Sequence, residues 1–284
     1  MPPFCDRRRG RQPQHNENPK ESMNQCLIPS HASQSSLPRM AGTDRLFCLR
    51  KCFSFGDPAN RMIAMSRPNP TALAAQTDLA FWKPATNPAE LAAFCANARS
   101  KSVRAVSVNG SRVVLTAAGL EDSQVQLIAM VGFPLGTGDA DVKRYETEVA
   151  IDFGAQEIEM VLNLDHIKNR QHKAMLREIN DVLEAADERP VCAVLETRAL
   201  TRAEIVAMCG ILSDSALKTV STGTDFWPDS RVDAADIKAI RDALDPKIAI
   251  KAVGNIRDAE IAQTLLDAGA ARIGTAHTRV FSND

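Results

Sequence analysis

From about Thr71 onward, short runs rich in Val, Ile and Ala alternate with longer stretches in which apolar residues recur at helical spacing. The first kind fits buried parallel strands and the second fits amphipathic helices. The runs predict strands at Arg104 to Val108, Gln126 to Val131, Glu157 to Leu162, Val191 to Leu195, Ala216 to Thr219, Ile248 to Ala252 and Ala271 to Gly274, with a weaker one near Ala74 to Leu79. Helical spacing covers Pro88 to Lys101, Asp139 to Phe153, His172 to Ala186, Thr201 to Leu212, Asp233 to Leu244 and Asp258 to Ala268. Asn87, Thr201, Asp233 and Asp258 can each accept a first-turn amide proton, and Glu204 stands at capping-box spacing from Thr201. Gly154 and Gly269 suit helix ends. Repeated strand-helix units predict an α/β fold, a TIM (β/α)8 barrel. An open doubly wound sheet is the structural alternative, but the first strand-helix turn lacks a Gly-rich dinucleotide fingerprint.

Residues 1–70 break this pattern. They are rich in Arg, Pro, Ser, Asn and Gln, hold eleven basic against five acidic residues, and show no sustained period. The expected organisation is a basic, disordered leader over 1–70 and a barrel domain over 71–284, its last helix truncated because the sequence ends soon after Phe281. Met40, Met62 and Met65 could each begin translation, so the leader reads as an upstream misassignment of the start or as a targeting segment.

Composition narrows the function classes. The 284 residues are 44% hydrophobic and 24% charged with a net charge of -1, which excludes disorder of the whole chain and gives no general attraction for nucleic acid or anionic membrane. No stretch approaches the ~18 apolar residues of a membrane span. Seven scattered cysteines, with only Cys48 and Cys52 close together, read as reduced thiols of a cytoplasmic protein. No His or Cys cluster has metal-ligand spacing, so neither a metal nor another cofactor is expected.

In a barrel of this kind the active site forms where strands end and the following loops begin. Lys218 and Lys251 both stand in apolar strand-like runs one strand-helix unit apart, where burial of an unpaired ammonium is costly. Side by side, two such groups would depress each other's pKa and leave one as a free amine able to attack a carbonyl. Glu157 and Glu159 share one face of their strand by the two-residue period, and Glu159 is the candidate proton carrier, while Glu157 is expected to end the strand in solvent. Gly254 and Asn255 after the Lys251 strand, with Gly274 and Thr275 at the last strand, lie where this fold commonly cradles phosphate. His166 follows a strand end and reads as an ordinary loop histidine.

Taken together, Val131-Gly132-Phe133-Pro134-Leu135-Gly136, Glu157 to Asn163, Leu195-Glu196-Thr197, Leu217-Lys218-Thr219, Ile250-Lys251-Ala252 and Arg272-Ile273-Gly274 resemble the deoxyribose-phosphate aldolase family over about Thr77 to Gly274. The resemblance implies a metal-free class I aldolase that cleaves 2-deoxy-D-ribose 5-phosphate to D-glyceraldehyde 3-phosphate and acetaldehyde through a lysine Schiff base. It implies that Lys218 is the Schiff-base lysine, that Lys251 lowers its pKa, and that Glu159 takes the place of the family's proton-relay aspartate. Asp78 then orients a hydroxyl or the lysine network, Ser107 stands at a substrate-side position where cysteine is common, and Gly254, Asn255, Gly274 and Thr275 lie on the phosphate loops. The implied partner is a small phosphorylated sugar or aldehyde, with a second copy of the chain, since such barrels often pair.

The sequence departs from the family at the site itself. Glu159 is one methylene longer than the aspartate, and Val220 is an extra residue in Lys218-Thr219-Val220-Ser221-Thr222-Gly223, where the family has Lys-Thr-Ser-Thr-Gly. Either the strand bulges there or the lysine is displaced. Asn255 replaces a glycine, and Ala276 and His277 replace a serine pair of the phosphate loops. Two rivals to the deoxyribose-phosphate aldolase therefore stand: a noncatalytic phosphosugar-binding barrel, and a Schiff-base aldolase of altered aldehyde specificity.

Overall fold

Eight short strands, all parallel, pair in sequence order and close into a barrel, the eighth bonding the first. This arrangement comes from a computed structural model that describes residues 69–281. All but Asn69 and Pro70 of the expected leader lie outside the described residues. The strands are β1 (Thr77–Phe81), β2 (Ala105–Asn109), β3 (Gln126–Val131), β4 (Glu157–Val161), β5 (Val191–Val194), β6 (Thr219–Ser221), β7 (Ala249–Val253) and β8 (Arg272–Thr275). The helices are α1 (Pro70–Ala74), α2 (Pro88–Lys101), α3 (Val113–Gly119), α4 (Ala140–Asp152), α5 (Leu164–Lys168), α6 (His172–Ala185), α7 (Arg202–Ser213), α8 (Ala234–Ala243) and α9 (Ala259–Asp267).

The caps read from sequence start these helices. Asn87, Thr201 and Asp233 each accept the amide of the residue three positions on, and Glu90, Glu204 and Asp236 return the bond, while Asp258 accepts from Ile261. Gly154 and Gly269 follow the ends of α4 and α9 with φ of 103° and 114°. The short helices α1, α3 and α5 escape a periodicity test because they span at most seven residues. After β8 the described chain makes a 3-10 turn at Thr278–Phe281, with Val280 and Phe281 buried.

The register decides which side chains meet. Parallel partners share a face, so the chain of pairs Asp78↔Ala105, Ser107↔Ile128, Met130↔Glu159, Glu159↔Cys192, Cys192↔Thr219, Ser221↔Lys251, Lys251↔Arg272 and Asp78↔Gly274 defines one side of the sheet. The other side carries Leu79, Val106, Val108, Ala129, Val131, Ile158, Met160, Val220, Ile250 and Ile273, buried in the apolar layer beneath the helices. Bulky branched residues ordinarily fill a barrel interior. Here charged residues occupy it, and a buried charge is tolerated only where it is paired.

The displacement from expectation that bears on the site is in β6. Expected over Ala216 to Thr219, it runs from Thr219 to Ser221 instead. The residues before it are used in a turn, in which the Ser215 amide and hydroxyl both donate to the Leu212 carbonyl. Pairing then proceeds without interruption through Thr219, Val220 and Ser221 on both edges, so the strand contains no bulge.

Candidate active site

Three carboxylates and three cations form a column inside the barrel. At the lower end Glu157 bonds the guanidinium of Arg272, and its Oε2 lies 3.1 Å from Arg104 Nη2. Arg104 also pairs with Asp78, whose Oδ2 is 3.1 Å from Lys251 Nζ and 3.6 Å from Arg272 Nε. Higher up, Lys251 Nζ donates to Glu159 Oε2 at 3.0 Å, and the Ser107 hydroxyl donates to the same oxygen at 3.0 Å. Glu157 is thus buried and paired rather than ending the strand in solvent, because the Arg272 and Arg104 guanidinium groups compensate its charge.

Glu159 and Lys251 line a pocket that opens at the carboxyl ends of the strands, with Ala80, Met130, Phe133, Val161, Val194, Gly223, Thr224, Asp225, Val253, Gly274 and Thr275 around it. Burial alone would lower the Lys251 pKa, yet Glu159 and Asp78 outweigh it and hold the ammonium above the ordinary lysine range. Burial would raise Asp78, but Lys251, Arg272 and Arg104 bring its carboxyl down to about 2. Cys192 also faces this interior, and burial pushes its thiol up to about 12, so it stays protonated. Gly274 makes room for the lysine: a Cβ there would lie 2.6 Å from Lys251 Cε.

The predicted residues divide. Asp78, Ser107, Glu159, Lys251, Gly274 and Thr275 meet at or beneath the pocket. Lys218 does not. It precedes β6, is exposed, and lies on the opposite parity from the inward Thr219 and Ser221. Of the two alternatives left by the extra residue, the strand takes the displaced lysine. Counting back from Ser221-Thr222-Gly223 without a bulge, the family's lysine position falls on Thr219, which is buried. With Lys218 outside, Lys251 has carboxylates and Arg272 as neighbours rather than a second ammonium, so the expected mutual lowering of lysine pKa does not arise. Gly254, with φ of 143°, is pressed against the backbone of Arg231 and Val232, and Asn255 is exposed. The Thr275 hydroxyl donates to the Ile256 carbonyl and accepts from the His277 amide. His166 lies in α5 with Nδ1 3.4 Å from Glu178, away from the pocket.

Sequence reasoning missed three features. Asp225 lines the pocket, and its Oδ1 accepts the Asn255 amide at 2.7 Å. Its one legible signal was an acid just after the Ser221-Thr222-Gly223 turn. Phe133 of the pocket belongs to a ring cluster with Trp82, Phe226 and Trp227, whose neighbouring centroids are 5.6 to 6.4 Å apart. Lys143 on α4 is fully buried and donates to the carbonyls of Gly136 at 2.7 Å and Val161 at 2.8 Å while pairing with Glu178, which ties the loop after β3 to the end of β4. Nothing in an amphipathic helix pattern separates such a lysine from a solvated one.

The fold and site together define a closed parallel (β/α)8 barrel with a buried lysine and a carboxylate 3.0 Å apart at the floor of a pocket at the carboxyl ends of its strands. No protein-family model matches the chain. It is 36% identical over 195 residues to the deoxyribose-phosphate aldolase of Natranaerobius thermophilus, covering 68% of this chain and 88% of that protein. It is also 36% identical over 205 residues to deoxyribose-phosphate aldolase 1 of Bacillus licheniformis, covering 72% and 92%. Among solved structures, QR15, an aldolase, superposes with a TM-score of 0.70 at 28% identity over 74% of this chain and 93% of its own. The tetrameric deoxyribose phosphate aldolase of Aeropyrum pernix, at 22% identity, a TM-score of 0.69 and coverage of 75% and 91%, shows the shared fold. The chain belongs to the deoxyribose-phosphate aldolase family, a family of lyases.

Proposed function

We propose that the chain is a Schiff-base aldolase of this family in which Lys251, not Lys218, supplies the amine. The observation that carries the reading is the 3.0 Å bond from Lys251 Nζ to Glu159 Oε2 at the floor of the pocket. Lys251 passes a proton to Glu159 and attacks C1 of the open-chain sugar. Glu159 returns the proton as the carbinolamine loses water, leaving an iminium. Removal of the C3 hydroxyl proton, by Glu159 directly or through water, lets the C2–C3 bond break. Its electron pair forms the enamine, and C3 leaves as the new aldehyde. Protonation at C2 and hydrolysis by water release acetaldehyde and restore the lysine. For 2-deoxy-D-ribose 5-phosphate, the substrate the family implies, the other product is D-glyceraldehyde 3-phosphate.

The longer side chain of Glu159 supports this assignment, because it accepts from Lys251 while also holding Ser107. A second reading, a phosphosugar-binding barrel without turnover, is favoured by Thr219 at the family's lysine position and by the two carboxylates that keep Lys251 charged. Release of acetaldehyde from the sugar decides between them: turnover by the full chain, lost in Lys251→Arg, supports the aldolase, while sugar binding without acetaldehyde supports the binding protein.

The setting we propose is the cytoplasm, in keeping with Cys95, Cys192 and Cys209 as free buried thiols. Among the described residues no helix is long and apolar enough to cross a membrane. Pairing with a second copy would cover Val114, Leu115, Val142 and Tyr145, which are exposed on α3 and α4.

A further inference from the structure

The loop after β7 is where a barrel of this class would present backbone amides to a substrate phosphate. In this chain that amide is already taken. Asn255 N–H donates to Asp225 Oδ1 at 2.7 Å, from the loop after β6, and both residues are held at positive φ, 59° for Asp225 and 52° for Asn255. The cradle is closed from below as well. Gly254 is packed against the backbone of Arg231 and Val232, and the Thr275 hydroxyl is bonded to Ile256 and His277 within the protein. A phosphate dianion entering here would have to displace a fixed negative charge and then remain beside it. An uncharged hydroxyl faces no such cost, since it can donate to the carboxylate.

Resting on the aldolase reading above, we propose that Asp225 sets the substrate class at the far end of the pocket. The site takes an unphosphorylated 2-deoxyaldose or hydroxyaldehyde, whose terminal hydroxyl donates to Asp225, in preference to the corresponding phosphate. The aromatic rings of Phe133, Phe226, Trp82 and Trp227 beside the pocket suit the carbon skeleton of an uncharged sugar.

The test compares 2-deoxy-D-ribose with its 5-phosphate in the full chain and in Asp225→Asn, a substitution that keeps an acceptor oxygen and tolerates the positive φ. The native chain is expected to have the higher kcat/KM for the unphosphorylated sugar. Asp225→Asn is expected to shift the ratio toward the phosphate by about 10-fold or more, the scale of relieving one like-charge contact. A native preference for the phosphate, left unchanged by Asp225→Asn, overturns the proposal. If neither sugar is turned over, the aldolase reading has failed and equilibrium binding of the same two sugars still decides the charge rule: tighter binding of the phosphate by the native chain overturns it, and tighter binding gained only in Asp225→Asn upholds it.

Discussion

Ser221 and Lys251 sit opposite each other in register on β6 and β7, and that pairing sets which lysine faces the inside of the barrel. With Ser221 facing inward beside Lys251, Thr219 is the next inward residue of β6, and Lys218 falls outside the barrel. The site is therefore left with one lysine, held between Asp78 and Glu159.

The first consequence is a pair of contrasting substitutions. Lys218→Ala leaves turnover within about 2-fold of the native chain, since an exposed side chain away from the site contributes little. Lys251→Arg keeps the charge for Asp78 and Glu159 yet cannot form an imine, and lowers kcat by about 10³-fold or more. Steady-state release of acetaldehyde measures both.

Glu159 carries protons in this scheme, so Glu159→Gln is expected to lower kcat by about 10²-fold, a typical loss for a positioned acid-base group. Glu159→Asp shortens the reach to Lys251 by one methylene and gives a smaller loss. A Gln variant as active as the native chain would remove Glu159 from the mechanism.

Thr219→Lys places a second ammonium on the inward face of β6, one layer below Ser221. Two neighbouring ammonium groups depress each other's pKa. The variant should form imine faster at neutral pH and unfold at lower denaturant concentration, because the added charge lacks a carboxylate of its own. Urea titration and trapping rates read the two effects separately.

Much of this architecture was legible beforehand, and the reason is physical. Strands such as Gln126 to Val131 and helices such as Pro88 to Lys101 have a strong period or a cap, and they fall where the sequence puts them. Lys251 could be picked out because an ammonium inside an apolar run needs a partner, and Glu159 by the two-residue strand period, whereas Asp78 was legible only through the family resemblance. Lys218 falls outside because Val220 adds one residue between it and the Ser221-Thr222-Gly223 turn, and no bulge absorbs that residue. Since side chains alternate along a strand, an odd shift turns an inward residue outward. Asp225 was invisible for another reason: its bond to Asn255 joins two loops that only the closed barrel brings together.

Acid should loosen the fold through Asp78. Its folded pKa is held at about 2 against an ordinary 3.8, so the ionised form is the stabilised one. The stability it contributes, about 2 kcal/mol, is present above pH ~4 and lost as pH falls toward 2. Chemical denaturation followed from pH ~5 to pH ~2 should show the loss, reduced in Asp78→Asn.

Because Asp78 and Glu159 hold Lys251 above the ordinary lysine range, its free amine becomes more abundant as pH rises through neutrality and beyond. The most direct test of the account is borohydride reduction in the presence of acetaldehyde, at about pH 7 and about pH 9, followed by peptide mapping of the modified lysine. The account predicts a reduced adduct on Lys251, formed faster at the higher pH and absent from Lys251→Arg. An adduct on Lys218, or none on any lysine of the folded protein, would contradict it.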